Sequence, residues 1–201
     1  MNNGLKQILA KAEELFLNYG IKSVTMDDFS SRMGMSKKTL YQYVSDKDDL
    51  VCKTMKNHLE NEKKAIGEIR NRNGNAIDEI FSIGRHVLVH LSKMNPSAMY
   101  DLQKYHPAGW KMFLDYKNTF IYSCILENIQ KGIKQGLYRN DFNPEIVAKI
   151  YSARTEIIVS QDVFPFPKYT VMEVYAEYLK YHVRAIASEK GLKYLEKQKL
   201  I

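Results

Sequence analysis

Lys37, Lys38, Thr39, Tyr41 and Gln42 place two cations and three hydroxyl or amide groups on a short stretch with no carboxylate, in a chain that holds 23 Asp and Glu. On the outward side of a helix, this is what phosphates and base edges ask for: cations for the backbone, hydroxyls and amides for the groove. Other reactive side chains are less well arranged. His86 and His90 stand four apart, a spacing that can hold a metal, but both flank an apolar stripe and no third ligand is near in sequence. A structural or surface role is the expectation, with no metal. Cys52 and Cys124 lie far apart without CxxC spacing, so neither a disulfide framework nor a structural zinc site is indicated. Lys53 adjoins Cys52, yet neither cysteine has the basic surroundings of a redox switch. The acidic pairs Asp27-Asp28 and Asp48-Asp49 fall at helix starts, where carboxylates favour the dipole. A phosphate-cradling glycine loop, a GxSxG elbow and an HExxH helix are all missing, so neither catalysis nor a cofactor is expected.

The polar face needs a helix, and the sequence around it supplies one. Leu5, Ile8, Leu9, Ala12, Leu15, Phe16 and Tyr19 form one apolar stripe that ends at Gly20. Thr25 with Asp28 is close to a capping box and opens a second helix, with Met26, Phe29 and Met33 inward and small Ser30 between them. Gly34-Met35-Ser36 is a three-residue turn. Ser36 then caps a third helix expected from Lys37 to about Val44, with Leu40 and Val44 inward, and Ser45 with Asp48 is read as the cap of a fourth. Two short helices around a glycine-containing turn make a helix-turn-helix, and Ser30 leaves room for close packing.

The run from Ile21 to Leu50, with Thr25, Gly34, Ser36, Lys37, Thr39, Tyr41, Tyr43 and Lys47 at their spacings, resembles the head of TetR-type repressors. The resemblance implies that Thr25 and Ser36 hold phosphates from helix N-termini. It implies that Lys37, Thr39 and Gln42 face the major groove, and that Tyr41, Tyr43 and Lys47 grip the backbone. Two positions depart from the family. Lys38 stands where glycine is frequent and adds a long cation near the bases, and Val44 replaces the usual phenylalanine.

The rest of the chain reads as further helices. Val51, Met55, His58, Leu59, Ala65, Ile66 and Ile69 imply a long connecting helix that ends near Asn71-Arg72-Asn73-Gly74-Asn75. Ile77 to Leu91 marks another, closed at Asn95-Pro96; a short one carries Met99 to Tyr105, and a long one runs from Phe113 to Gly136. Asn143-Pro144 is a strong start for a helix over about 144–163, and Thr170 with Glu173 caps the last, over about 170–188. No strand-period alternation of useful length is present. The expectation is an all-α chain of about nine helices. Residues 1–49 would form a three-helix DNA-binding domain, and residues 50–201 a helical ligand-binding and dimerisation domain.

The helix after Pro144 is apolar on two sides, Ile146/Ile150/Ala153/Ile157 and Val147/Tyr151/Ile158. One side can pack within the subunit and the other against a second copy. The last two long helices are therefore the candidate homodimer interface, as the resemblance also implies; a thicker monomeric core is the alternative. A dimer would set two recognition helices about 34 Å apart on a near-palindromic duplex. Met94 to Cys124 is rich in aromatics and methionines, which suits an apolar or aromatic effector, with Tyr100, Trp110, Phe113, Phe120 and Cys124 as candidate lining. From the resemblance, the effector would act on the heads through the connecting helix.

Bulk properties set outer bounds. Apolar content of 45% and charged content of 26% suit a globular protein with its own core. The net charge of +7 fits a polyanion partner, but over residues 1–50 seven basic and seven acidic residues cancel. Local arrangement, not net charge, therefore carries the DNA reading. The start at Met1-Asn2 leads directly into an amphipathic pattern, and no apolar run is long enough to span a membrane. The expected location is cytoplasmic. A helical protein-interaction module with a plain αα-corner at its head is the rival reading.

Overall fold

The three- and four-residue spacing of apolar side chains winds α1 (Asn3–Tyr19), which buries Ile8, Leu9, Ala12, Leu15 and Phe16 on one side. Gly20 ends it, its amide donating to the Phe16 carbonyl at 3.0 Å. Thr25 opens α2 (Met26–Arg32) with a complete capping box: its hydroxyl accepts from the Asp28 amide, and the Asp28 carboxylate accepts from the Thr25 amide. The chain then turns at Gly34, whose φ of +63° is a left-handed conformation that glycine adopts without a Cβ penalty. Ser36 caps α3 (Lys37–Leu40) by accepting from the Thr39 amide at 3.1 Å. The computed structural model describes residues 3–72, 74–95 and 97–198. Met1, Asn2, Asn73 of the expected loop and Pro96 of the expected stop lie outside the described residues.

Two local expectations need correction. The third helix closes at Leu40 rather than Val44, because Gln42 and Tyr43 donate three residues back, to Thr39 and Leu40, and tighten the last turn. The cap of α4 (Lys47–Arg72) is Asp46, not Ser45. The Asp46 carboxylate accepts from the Asp49 amide at 2.8 Å, and the Asp49 carboxylate accepts from the Ser45 amide at 2.9 Å. The capping pair is Asp46 with Asp49, one residue beyond the expected one, and its return bond reaches Ser45 rather than Asp46.

The remaining helices are α5 (Ala76–Leu91), α6 (Ser97–Tyr105), α7 (Pro107–Tyr116), a π-helical turn (Lys117–Ile121), α8 (Tyr122–Lys134), α9 (Pro144–Ala153), α10 (Thr155–Ile158), α11 (Val171–Ile186) and α12 (Glu189–Lys197). The fold is all-α, as expected. Among the described residues there is no strand; one isolated antiparallel bridge joins Tyr138 and Ala187.

The chain divides into two compact units. The first takes its described residues from Met1–Glu62 and Lys93–Asp115. Its core is built on Ile8, Leu15, Phe29, Leu40, Val44, Leu50, Val51 and Leu102, each 2% exposed or less. Burying one such side chain contributes about 1.5–3 kcal/mol, whereas a cap contributes about 1 kcal/mol. Packing therefore holds α3 in place and the caps set where it begins. Asp101 in α6, itself buried, accepts from the Lys22 amide at 2.8 Å, which pins the turn after α1.

The second unit takes its described residues from Lys63–Ser92 and Tyr116–Ile201, around Ile77, Ile80, Ile129, Ala148, Val183 and Leu195. A polar network runs through it. Buried Glu79 accepts from Lys131 at 2.7 Å and Asn128 at 3.1 Å, and the Tyr138 hydroxyl donates to Asn128. Burial, with Glu79 adding, pushes the Tyr138 phenol well above its ordinary range. Tyr138 also lies on Gly132, where an added Cβ would stand 2.0 Å from its ring. The turn between α8 and α9 thus requires a residue without a side chain there.

The helix expected over 144–163 is interrupted. Its hydrogen-bond ladder slips at Arg154, whose amide is shared between the Ile150 and Tyr151 carbonyls at 3.3 Å each; α9 ends at Ala153 and α10 at Ile158. The helix expected over 170–188 is α11, closed at Ile186. Beyond it, α12 was not anticipated. Ser188 caps it by accepting from the Gly191 amide at 3.1 Å, and Leu195 is its buried anchor.

Candidate nucleic-acid interface

With Leu40 and Val44 sealed in the core, the other side of α3 and its closing turn is left to solvent: Lys37, Lys38, Thr39, Tyr41 and Gln42 are all exposed. Thr25 and Ser36, the two caps, are exposed as well. Ser36 and Thr39 hydroxyls lie 2.9 Å apart. Lys38, the departure from the family pattern, has no ion-pair partner among the described residues.

The remaining expected contacts are more constrained. Lys37 is ion-paired with Asp27 of α2, a carboxylate that the sequence of α3 alone does not reveal. Tyr43 is half-buried against α1, where a Cβ added to Gly4 would stand 2.7 Å from its hydroxyl. Its carbonyl accepts from Lys53 at 2.8 Å, and Lys53 also bonds Asp49. Lys47 donates to the Lys22 carbonyl at 3.2 Å. Burial lowers the Lys47 pKa, against the opposing charges of Asp101, Asp48 and Asp28.

Lys53, Asp101 and His106 position this surface without lying on the expected motif. His106 is buried and its Nδ1 meets the Asp48 carboxylate at 2.5 Å, which ties α6–α7 to the start of α4. Only Asp101 and His106 required distant segments to be brought together; Lys53 stands one turn after Asp49, and its i,i+4 acid–base spacing was a readable signal.

The five expected effector-lining residues are distributed over both units. In the first, Tyr100 is exposed and bonded to Lys104 at 2.7 Å, while half-buried Trp110 stacks on Phe113 with ring centroids 5.2 Å apart. In the second, Phe120 stacks on Tyr116 at 5.2 Å, and buried Cys124 has the Arg70 guanidinium 3.7 Å from its sulfur. Burial nonetheless raises the Cys124 pKa, so the thiol form is favoured. A separate concavity of about 240 Å³ in the second unit is lined by Tyr151, Tyr178, Tyr181, His182, Arg139 and Arg154 among others, and by none of the five. His86 and His90 ring centroids are 4.6 Å apart on α5.

A capped helix-turn-helix with a polar outward face, carried on an all-helical chain, defines a DNA-binding transcriptional regulator. Residues 8–52 match the family described as bacterial regulatory proteins, tetR family. Along more of its length it is similar to an uncharacterized HTH-type transcriptional regulator, YvaF, of Bacillus subtilis, at 28% identity over 147 residues, covering 73% of this chain and 76% of that one. Its head is similar to that of the HTH-type transcriptional activator FasR of Mycolicibacterium smegmatis, 36% identical over 55 residues, which is 27% of this chain and 25% of FasR. The fold is that of a TetR-family regulator from Agrobacterium tumefaciens, with a TM-score of 0.74 at 14% identity, over 92% of this chain and 97% of the other. Among the described residues, no helix is long and apolar enough to cross a membrane.

Proposed function

We propose that this regulator is a cytoplasmic homodimeric repressor that binds a near-palindromic operator and is released by a small apolar or aromatic effector. Lys37, Lys38, Thr39 and Gln42 read the major groove, and Thr25, Ser36, Tyr41, Tyr43 and Lys47 hold phosphates. The observation that carries the reading is the exposure of Lys37, Lys38, Thr39, Tyr41 and Gln42 opposite the fully buried Leu40. Cations and hydrogen-bonding groups held outward by a fixed inner face form a surface that is organised before DNA arrives.

In this reading residues 1–49 bind DNA and residues 50–201 sense and dimerise. Dimerisation is supported by the exposed apolar side of α9–α10, Ile146, Ile150 and Ile157, and by Met172 and Tyr181 of α11. These are the side chains that a four-helix interface between two copies would cover. Tyr100, Trp110, Phe113, Phe120 and Cys124 remain the candidate effector contacts. The chain has no catalytic role in this scheme.

Selection of bound sequences from a random duplex library, followed by gel-shift titration against salt, tests the reading. A near-palindrome and a steep salt slope are expected. Unchanged binding after separate removal of Lys37, Tyr41 and Lys47 would overturn it, and a promoter fusion fixes the sign of regulation.

A further inference from the structure

The π-helical turn between α7 and α8 begins at Lys117, and this lysine is 6% exposed. Its ammonium is ion-paired with Glu156 of α10, which is its one hydrogen-bond partner among the described residues. An ammonium carries three donors, so a single carboxylate leaves most of its hydrogen-bonding capacity unmet. The pair is also lopsided: the Lys117 side chain is 7% exposed and that of Glu156 is 40%. The cation is fixed inside, while its anion stands at the surface on a four-residue helix. Extra-residue turns of this kind within α-helices are frequent at functional sites.

We infer that Lys117 is an anion socket in which Glu156 is a replaceable internal plug, and that the effector of the proposed regulator carries a carboxylate that takes the place of Glu156. This rests on the effector-released reading and names the chemical class of the effector. Exchange of one carboxylate for another keeps the buried cation neutralised throughout, which avoids the cost of an unpaired charge. The aromatic pair Tyr116 and Phe120 flanks Lys117 in sequence, with the Lys63 ammonium 5.9 and 5.8 Å from their ring centroids. Expulsion of Glu156 would free α10, whose Ile157 lies on the exposed apolar side proposed to dimerise.

Chemical rescue of the full chain tests this with benzoate as the probe. Glu156→Ala should lower the thermal midpoint, and benzoate at about ten times its Kd should raise it by about 3–5 °C over chloride at equal ionic strength. Methyl benzoate should not. In Lys117→Met/Glu156→Ala the benzoate shift should vanish. The socket is overturned if the double variant responds as Glu156→Ala does, if the ester works as well as the acid, or if benzoate shifts neither protein. Should Glu156→Ala fail to fold, Glu156→Gln and its Lys117→Met partner carry the same comparison. Gel shift of the wild type with its selected duplex is run in parallel. Retained DNA binding with failed rescue removes the socket alone, while lost DNA binding removes the regulator reading.

Discussion

The carboxylate of Asp27 in α2 is ion-paired with the ammonium of Lys37 in the first turn of α3. The pair bridges the two helices of the helix-turn-helix at its exposed edge, with the side chains 54% and 65% exposed for Lys37 and Asp27. It therefore contributes little to stability, but it places a negative charge beside a cation that the proposed function assigns to DNA.

Asp27→Asn should tighten operator binding by about 2–5-fold, because removal of the carboxylate leaves Lys37 wholly available to the polyanion. Lys37→Ala should weaken binding by about tenfold and reduce the salt slope by about one. Gel shifts at two salt concentrations decide this; a weaker Asp27→Asn complex would mean that the carboxylate instead orients Lys37.

Thr25→Ala removes one side of the capping box and should cost about 1 kcal/mol of stability. The Asp28 carboxylate, held below the ordinary range by its bonds to the Thr25 side chain and amide, should return toward its usual pKa. Urea unfolding with and without the substitution measures the first effect, and carboxylate titration by NMR the second.

His58 and Glu13 join α4 to α1 through a 2.7 Å contact. Burial pulls the His58 pKa down, but the hydrogen bond and charge of Glu13, with Glu62 adding, outweigh it and the net shift is upward. A raised folded-state pKa means that the stabilisation is fully present below about pH 6.5 and is lost as pH rises through the folded value. The stability advantage of wild type over His58→Gln should thus shrink from pH 5.5 to pH 8.5. An advantage that grows with pH would contradict the assignment.

Ile150→Asp places a carboxylate on the exposed apolar side of α9. Sedimentation equilibrium should report a halved mass, and operator affinity should fall by about 2 kcal/mol or more as the central contact is lost. A Ile150→Asp protein that remains dimeric would move the interface elsewhere.

Features that depend on neighbours in sequence were readable without coordinates. Thr25 with Asp28, Gly34, Ser36, Asn143-Pro144 and Thr170 with Glu173 each set a boundary through bonds spanning two to four residues. The α4 cap was off by one because Ser45 and Asp46 are both good caps, and only backbone geometry chooses between them. The break at Arg154 has no proline or glycine to announce it. Helix α12 hides behind its short length and charged composition. At the candidate DNA surface, the outward side of α3 was legible from its periodicity, whereas the Asp27 pairing and the supports from Asp101 and His106 are tertiary and leave no local pattern.

The bond from Asp101 to the Lys22 amide spans 79 residues, and Leu102 is part of the same core as Phe29 and Leu40. During synthesis the helix-turn-helix therefore leaves the ribosome before the segment that completes its core exists. Until α6 is made, the nascent head lacks the Leu102 seal on its core and the Asp101 bond to the Lys22 amide.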